Sequence, residues 1–404
     1  MRTRLSLILL PTLFHAQRVK SLPNEIHFRP IQSHESTLNS TSDTPQTVFT
    51  PFTTGETHRL RTRTQTVYQP RFVEDVYRAR ERSLKLQQSE PIEWVQKDVL
   101  APDVTDRLTL QELAKMTANA YAERGKSNWY EMSERWNTSY PFGWEADEDG
   151  FRGHVFVSDD KKIVVMSIKG TSLWTPIGDK TSKKDKLNDN LVSHSWYLAL
   201  DTHPSLSCSR VAALVSIGLG PGKLTSLMLD SLFYNVGVGL YDGLIAAFPN
   251  ASIWLTGHSL GGSLAALLGA TFGVPTVTFE SPGERLASAR LHIPHAPGIP
   301  SAEHPITHVW HTGDPIPDGR CVGPTSLCAK AGYALETRCR NGKQIVYDTV
   351  TRKKWSPSVT RHRIGVVIKD VLGEDWDEDR AVPEAVPYDD CEVCDGKFIT
   401  RRES

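Results

Sequence analysis

The run Ile253-Trp-Leu-Thr-Gly-His-Ser-Leu-Gly-Gly-Ser-Leu-Ala-Ala-Leu-Leu-Gly-Ala270 contains the pattern Gly-x-Ser-x-Gly, with Ser259 as its serine. Residues 251–256 are apolar and follow the turn-prone pair Pro249-Asn250, which predicts a short buried strand. Residues 260–268 place leucines at helical spacing among small residues, which predicts a helix. The pentapeptide alone is a weak signal, but a strand before it and a helix after it form a nucleophile elbow. We therefore predict that a strained turn projects the Ser259 hydroxyl as a nucleophile.

Two backbone donors are expected beside this serine. The N–H of Leu260 lies at the start of the predicted helix, where it has no helical acceptor and where the helix dipole is positive. Such a donor can stabilise the oxyanion that develops during attack on a carbonyl. The other donor is expected at the exit of an earlier central strand. The apolar run 162–168 ends at Lys169-Gly-Thr-Ser172, so we predict that Thr171 supplies it; the alternative is an ordinary turn residue.

The acid and the base of a catalytic triad follow the serine in the order acid, then histidine, when the nucleophile sits on such an elbow. Asp314 lies just after a predicted strand, and His362 is the only histidine beyond it. We therefore predict that Asp314 orients His362, which would act as general base toward Ser259. Glu280 and Asp318 stay open as alternative acids. His308 and His311 are interpreted as core or surface residues, and His258 as a support of the elbow.

The composition is that of a folded protein without a bulk charge preference. Of the 404 residues, 39% are hydrophobic, which is enough for a core and excludes wholesale disorder. The formal net charge of −1 offers no basic field to a nucleic acid. The histidines and cysteines show neither an H-E-x-x-H pattern nor a paired C-x-x-C set, so we expect no metal and no other cofactor.

The N-terminus carries a targeting pattern. Met1-Arg-Thr-Arg4 is basic and residues 5–16 are largely apolar, a length typical of a secretory signal and short for a membrane span of roughly 20 residues. We predict that residues 1–20 form a signal peptide or a signal anchor that delivers the chain to a lumen; an ordinary apolar strand is the alternative. Residues 21–100 are rich in Thr, Ser, Pro, Gln and Arg, which predicts a low-complexity, loosely packed lead-in.

The cysteines and sequons are compatible with a lumenal protein. An even number of cysteines permits disulfides, although the sequence does not give their pairing. The C-x-x-C at Cys391 and Cys394 stands alone in an acidic tail over 376–404, where a structural disulfide is the favoured interpretation. Three sequons predict glycosylation, at Asn39, Asn137 and Asn250. The six cysteines are Cys208, Cys321, Cys328, Cys339, Cys391 and Cys394.

Residues 101–375 alternate between strand and helix patterns and are predicted to form the main domain. Apolar spacing predicts a helix over 108–121, with Thr109 as its N-cap. The alternation indicates an α/β fold of the α/β-hydrolase type, with a mostly parallel central sheet flanked by helices. The predicted strands are 151–157, 162–168, 251–256, 274–280 and 306–311.

From Leu108 to Cys394 the chain resembles the class 3 lipases, and more closely the fungal autophagy-related vacuolar lipases. It departs from them between 191 and 229, where those proteins are cysteine-rich and this chain has only Cys208. The matching segments are Ser167-Ile-Lys-Gly-Thr, Lys183-Lys-Asp-Lys-Leu-Asn-Asp-Asn, Trp254-Leu-Thr-Gly-His-Ser-Leu-Gly-Gly-Ser-Leu, Phe279-Glu-Ser-Pro-Gly-Glu, His308-Val-Trp-His-Thr-Gly-Asp-Pro-Ile-Pro and Gln344-Ile-Val-Tyr-Asp-Thr-Val.

The resemblance implies a membrane-anchored, lumenal glycoprotein that travels through multivesicular bodies to the vacuole. There it would hydrolyse ester bonds of phospholipids and triacylglycerols, lyse autophagic bodies and bind phosphoinositides. We therefore predict a serine lipid-ester hydrolase that needs no cofactor. Two alternatives stay open, namely a catalytically silent lipid-binding or membrane-tethering protein and a peptidase on the same scaffold.

Overall fold

The computed structural model describes residues 60–171 and 233–400, apart from short gaps at 87–88, 134–135, 137, 145–149, 323–325, 331–332, 334, 336, 375, 377–381, 389–390 and 395–396. The strands are β1 Thr62–Pro70, β2 Trp94–Pro102, β3 Thr138–Phe142, β4 Gly153–Val157, β5 Ile163–Ile168, β6 Ser252–His258, β7 Thr276–Phe279, β8 Ile306–His311, β9 Lys343–Tyr347, β10 Val386–Pro387, β11 Cys391–Cys394 and β12 Lys397–Thr400. The helices are α1 Val73–Leu86, α2 Arg107–Asn119, α3 Phe233–Ala247, α4 Leu260–Phe272, α5 Arg285–Arg290, α6 Leu327–Lys330, α7 Thr349–Lys353 and α8 Ile364–Val366, and α8 continues as a π-helical turn over Val367–Val371.

Eight strands form one sheet in the order β10-β9-β8-β7-β6-β5-β4-β3. The five strands from β5 to β9 run parallel, while β3, β4 and β10 are antiparallel to their neighbours. The predicted α/β fold with a mostly parallel central sheet is therefore confirmed. The parallel strands end together at one edge, and loops leaving β5, β6, β7 and β8 meet there.

Nearly all side chains of the central strands β5 to β8 are buried, because helices cover both faces of the sheet. Along β5, Val164 and Met166 join the core beneath α3 and α4, whereas Ile163 and Val165 join the opposite core beneath α2 and the π turn. Successive strand residues point to opposite faces, so an alternating pattern would leave one face polar. The unbroken apolar run therefore identifies β5 as an interior strand.

Helix α4, which follows the elbow, lies inside the protein. All thirteen of its residues are buried, and none of them is charged. A helix that is apolar all round can be accommodated only where packing surrounds it. Its last residue, Phe272, stacks on Tyr241 of α3 with ring centroids 3.9 Å apart. Burial along the whole of α4 therefore includes its N-terminus, directly after Ser259.

The prediction of a loosely packed lead-in is wrong for residues 60–100. β1 and β2 pair antiparallel along their whole length, with α1 between them in sequence. The backbone of Leu100 joins the pair to β6, because its N–H donates to Ser252 Oγ and its oxygen accepts from Trp254 Nε1. Most β1 side chains are polar and only two of the nine residues are buried, so backbone pairing rather than apolar patterning specifies this ribbon.

Two predicted boundaries also need correction. The N-cap of α2 is Asp106 rather than Thr109, and its carboxylate accepts hydrogen bonds from both the N–H and the hydroxyl of Thr109. The sheet extends past 375, because β10 at Val386–Pro387 pairs with β9 in the predicted tail. The C-x-x-C run forms β11, which pairs with β12.

The predicted targeting and modification sites are described only in part. Within the described residues no helix is long and apolar enough to cross a membrane. Residues 1–20 and 191–229, Asn39 and Asn137 lie outside those residues. Asn250 is exposed in the turn that leads into β6, where a sequon is accessible. Among the cysteines, Cys321 and Cys328 form a disulfide with their Cα atoms 5.2 Å apart.

Candidate active site

Ser259 occupies the turn between β6 and α4 in a conformation that few residues adopt. Its backbone has φ 57° and ψ −131°, a strained geometry for a residue with a side chain. The turn can be this sharp because its glycines let the strand and the helix touch. A Cβ on Gly257 would lie 2.2 Å from the backbone oxygen of Gly261, so only glycine fits there. The structure thus contains the predicted elbow.

The side chains of Ser259, His362 and Asp314 form a continuous hydrogen-bonded chain. His362 Nε2 lies 2.8 Å from Ser259 Oγ, and His362 Nδ1 lies 2.5 Å from Asp314 Oδ2. All three residues are buried, with Asp314 fully excluded from solvent. They come from three separate parts of the fold, namely the elbow, the loop after β8 and a short 3₁₀ turn over Val359–His362. The structure therefore brings together the three residues predicted from the motif and the chain order.

The environment of Asp314 favours its ionised form. Burial alone would raise the pKa of this carboxyl group, but the charge and hydrogen bond of His362, together with the Glu280 side chain and the hydrogen bond from the Ile316 N–H, outweigh burial and lower the pKa below its ordinary value. Asp314 Oδ1 accepts the N–H of Ile316 at 3.0 Å, which fixes the rotation of the carboxylate. A carboxylate held in this way orients the imidazole and keeps a proton on Nδ1, so that Nε2 can accept a proton from the serine.

The two predicted oxyanion donors lie next to Ser259. Leu260 is the first residue of α4, so its N–H has no acceptor within the helix. Thr171 is buried and follows Gly170 at the exit of β5. A Cβ on Gly170 would lie 3.0 Å from the Ser259 Cβ and 2.3 Å from the backbone oxygen of His258. The loop from β5 therefore passes against the elbow, and glycine is needed for the close approach.

The alternative acids occupy different environments. Asp318 forms an ion pair with Arg320 at 2.6 Å and is partly exposed. Glu280 ends β7 with φ 47° and is fully buried, and neither of its carboxyl oxygens has a hydrogen-bond partner at ordinary distance within the described residues. Burial, together with the negative charge of Asp314, raises the pKa of Glu280 well above its ordinary value. Asp314, not Glu280 or Asp318, contacts the histidine.

The other histidines near the sheet edge have structural partners. His308 is buried; its Nδ1 lies 2.8 Å from Thr278 Oγ1 and 3.0 Å from Ser281 Oγ, while its Nε2 lies 2.8 Å from the backbone oxygen of Asn341. His258 supports the site more directly than predicted, because its ring contacts the backbone of His362. Its second partner is Tyr121, from the turn after α2. Sequence reasoning missed Tyr121 because nothing local marks it as part of the site.

Comparison with known proteins gives the same family as the motifs. The profile of the family Lipase (class 3) matches residues 179–319. ATG15 of Cryptococcus neoformans var. neoformans serotype D (strain B-3501A) is 46% identical over 288 residues, covering 71% of this chain and 55% of the relative. ATG15 of Saccharomyces cerevisiae (strain ATCC 204508 / S288c) is 42% identical over 324 residues, covering 77% of this chain and 60% of the relative. Both are named as candidate lipases, and the chain spans less than two thirds of either.

Solved lipase structures are similar at lower identity. Lip2 lipase from Yarrowia lipolytica is 17% identical, with 59% of this chain and 77% of that chain covered and a TM-score of 0.31. A triacylglycerol lipase from Penicillium expansum is 18% identical, with 61% of this chain and 80% of that chain covered and a TM-score of 0.30. On its profile match and its fungal relatives, the chain, an α/β-hydrolase in fold, belongs to the class 3 lipase family.

Proposed function

We propose that this protein is a serine hydrolase of lipid esters, with Ser259 as nucleophile, His362 as general base and acid, and Asp314 as the orienting carboxylate. The observation that carries the proposal is the unbroken chain from Ser259 Oγ through His362 to Asp314, at 2.8 Å and 2.5 Å. Both contacts are within the distance that proton transfer requires. The elbow that holds the serine and the donors beside it support the same reaction.

In the first half of the reaction, His362 Nε2 removes the proton from Ser259 Oγ while that oxygen attacks the ester carbonyl carbon. The carbonyl oxygen becomes an oxyanion, which the backbone N–H groups of Leu260 and Thr171 would stabilise. Asp314 stabilises the imidazolium that forms on His362. The tetrahedral intermediate then collapses as His362 returns the proton to the leaving alcohol. The products of this half are the alcohol and an acyl-Ser259 ester.

In the second half, water takes the place of the alcohol. His362 Nε2 removes a proton from the water as its oxygen attacks the acyl carbon, and the same two N–H groups again hold the oxyanion. Collapse releases the fatty acid and returns the proton to Ser259 Oγ. The proposed residues therefore supply the nucleophile, the proton transfers and the oxyanion donors that the whole cycle needs.

The substrate class is inferred from the family rather than from a bound molecule. Membership in the class 3 lipases supports carboxylic esters of phospholipids and triacylglycerols as substrates. The relatives named ATG15 support a role in autophagy. We extend the proposal to lysis of autophagic bodies and multivesicular-body vesicles inside the vacuole. We further propose that the protein enters the secretory pathway and is retained as a single-pass type II protein with a lumenal catalytic domain. We also propose that it binds phosphoinositides. These proposals rest on the resemblance of the sequence.

The experiment that tests the proposal is fatty-acid release by the purified full-length protein from phospholipid vesicles and from a triacylglycerol emulsion. Ser259→Ala removes only the nucleophilic oxygen and is expected to abolish release from both substrates. Ser301→Ala, in a 3₁₀ turn before β8, is the matched control and is expected to keep full activity. Release that survives in Ser259→Ala would refute the assignment. Vesicle binding without release by the unchanged protein would favour a silent lipid-binding protein.

A further inference from the structure

Three hydrogen bonds connect the loop after β5 with the backbone of His362. The N–H of Gly170 donates to Tyr121 Oη at 2.9 Å, and Tyr121 Oη lies 2.8 Å from His258 Nδ1. His258 Nε2 lies 2.6 Å from the backbone oxygen of His362. One end of this chain is the turn that would hold the oxyanion, and the other end is the residue that would act as general base.

The direction of every proton in the chain follows from the chemistry of its ends. The carbonyl oxygen of His362 can only accept, so His258 carries its proton on Nε2. In a neutral imidazole the other nitrogen is then an acceptor, so the Tyr121 hydroxyl donates to Nδ1. The Tyr121 oxygen still has a lone pair, which accepts the N–H of Gly170. For a neutral His258 ring, no other arrangement satisfies all three contacts at once.

The neutral form of His258 is the one that its surroundings favour. The residue is 6% exposed and lies against the ring of His362, with ring centroids 4.7 Å apart. Burial, followed by the charge of His362, lowers the pKa of His258 to about 3. The ring therefore stays uncharged at the pH values where the protein folds, and Nδ1 keeps the lone pair that Tyr121 needs.

The bond to the His362 carbonyl bears on catalysis because of where His362 lies. Its 3₁₀ turn is only four residues long, so few helical bonds fix its backbone. Its side chain must nevertheless hold Nε2 within 2.8 Å of Ser259 Oγ. A displacement of about 1 Å in a reacting group can lower a rate about 100-fold. A fixed carbonyl limits that displacement, and the same chain fixes the turn at Gly170.

We propose that Tyr121 and His258 are positioning residues that hold the His362 backbone and the Gly170–Thr171 turn in register with Ser259. The inference rests on the proposed function, because it assigns a role to residues around the proposed nucleophile and base. Neither residue touches the reacting atoms of Ser259 in this arrangement. Their effect would therefore fall on kcat, with substrate binding preserved.

The first test is Tyr121→Phe, which removes one oxygen and leaves the ring in place. We expect kcat to fall about 10-fold with KM changed less than about twofold, because the base is misplaced while the substrate surface is intact. The matched control is Tyr234→Phe, since the Tyr234 hydroxyl is also buried and hydrogen-bonded, to Thr271 Oγ1 at 2.6 Å, but lies in the α3–α4 core. Equal kcat values for the two variants would overturn the proposal.

The second test replaces His258 and includes a rescue. His258→Phe keeps a planar ring without hydrogen bonds, and we expect kcat to fall about 100-fold. His258→Gln places an amide N–H where it can reach the His362 carbonyl, and we expect about 10-fold of that loss to be recovered. Melting temperatures show whether both variants fold. If both variants lose the same activity, the bond to His362 is not the cause and the proposal fails.

The Ser259→Ala variant in the same assay separates the two proposals. An active Ser259→Ala protein would refute the proposed function itself. An inactive Ser259→Ala protein together with fully active Tyr121→Phe and His258→Phe proteins would refute only the positioning role.

Discussion

The carboxyl groups of Glu280 and Asp314 are both fully buried at neighbouring strand ends, and each shifts the pKa of the other. Two negative charges so close together in a fully buried site would be strongly unfavourable. The pKa of Glu280 is raised and that of Asp314 is lowered, so Glu280 carries the proton and Asp314 the charge. Because the proton stays on Glu280, Asp314 is the carboxylate that can stabilise a positive charge on His362.

This division predicts opposite results from two amide substitutions. Glu280→Gln replaces a neutral acid with a neutral amide of the same size, and kcat/KM should change less than about threefold. Asp314→Asn removes the charge that orients His362, and kcat should fall about 10⁴-fold, as for the same change in a serine-protease triad. Steady-state hydrolysis of a soluble ester measures both. Equal losses in the two variants would show that the acid is shared.

The close contact at the elbow predicts a difference in stability between two glycines. Gly257→Ala would place a Cβ 2.2 Å from the backbone oxygen of Gly261, and backbone atoms cannot move aside cheaply. We expect the free energy of unfolding to fall by about 1–3 kcal/mol, with a loss of activity because the elbow shifts. Denaturant unfolding monitored by tryptophan fluorescence measures the change.

Gly239→Ala is the control for that substitution. Gly239 lies inside α3, and an added Cβ would meet nothing within 4 Å. Alanine is the better helix former by about 1 kcal/mol, so this variant should be more stable than the unchanged protein and equally active. A Gly257→Ala protein as stable as Gly239→Ala would contradict the tight approach of strand and helix.

The features that sequence could predict are those with a local pattern or a fixed order. The elbow around Ser259 has its motif and its flanks in one continuous run. With Asp314 as the acid, the order of acid and histidine in such folds singled out His362, while Glu280 and Asp318 stayed open as alternative acids. The two central strands were equally predictable, because β5 and β6 each contain a run of consecutive apolar residues, Ile163 to Met166 and Ile253 to Leu255. These features could be predicted because each depends on a short run of residues or on the order of the triad residues along the chain.

The features that sequence could not predict depend on long-range contacts or on competition between similar residues. Tyr121 lies 137 positions before His258, and only the packing of α2 on the sheet brings them together. β1 has few apolar residues, and the ribbon forms through backbone pairing with β2. At the start of α2, Asp106 and Thr109 are both good N-caps, and the structure uses the carboxylate.

Several histidines are buried in their neutral form, and we therefore expect the protein to lose stability as the pH falls. Burial lowers the pKa of four buried histidines from about 6.5 to between about 3 and about 4, so the unfolded state binds protons first as the pH falls below 6.5. Each such proton lowers the free energy of unfolding by about 1.4 kcal/mol per pH unit. These histidines are His154, His258, His308 and His311.

Two buried glutamates act in the opposite direction. Burial raises the pKa of Glu284 to about 7 and that of Glu280 well above its ordinary value, so the folded state gains protons between pH 7 and 4.5 and is stabilised by them. Burial also lowers the pKa of His304 to about 3, so five histidines act against two glutamates. We therefore expect the free energy of unfolding to fall from pH 6 to pH 4, as measured by urea unfolding at half-unit steps.

His308→Gln isolates one of these protons. The residue is buried, and its loss should reduce the slope of stability against pH by about 1.4 kcal/mol per unit between pH 6 and 4. Thr278→Val removes the hydroxyl that is hydrogen-bonded to His308 Nδ1 and adds no titrating group, so it should lower stability at every pH and leave the slope nearly unchanged. An unchanged slope in His308→Gln would mean that His308 titrates alike in the folded and unfolded states, which its burial and its three hydrogen bonds oppose.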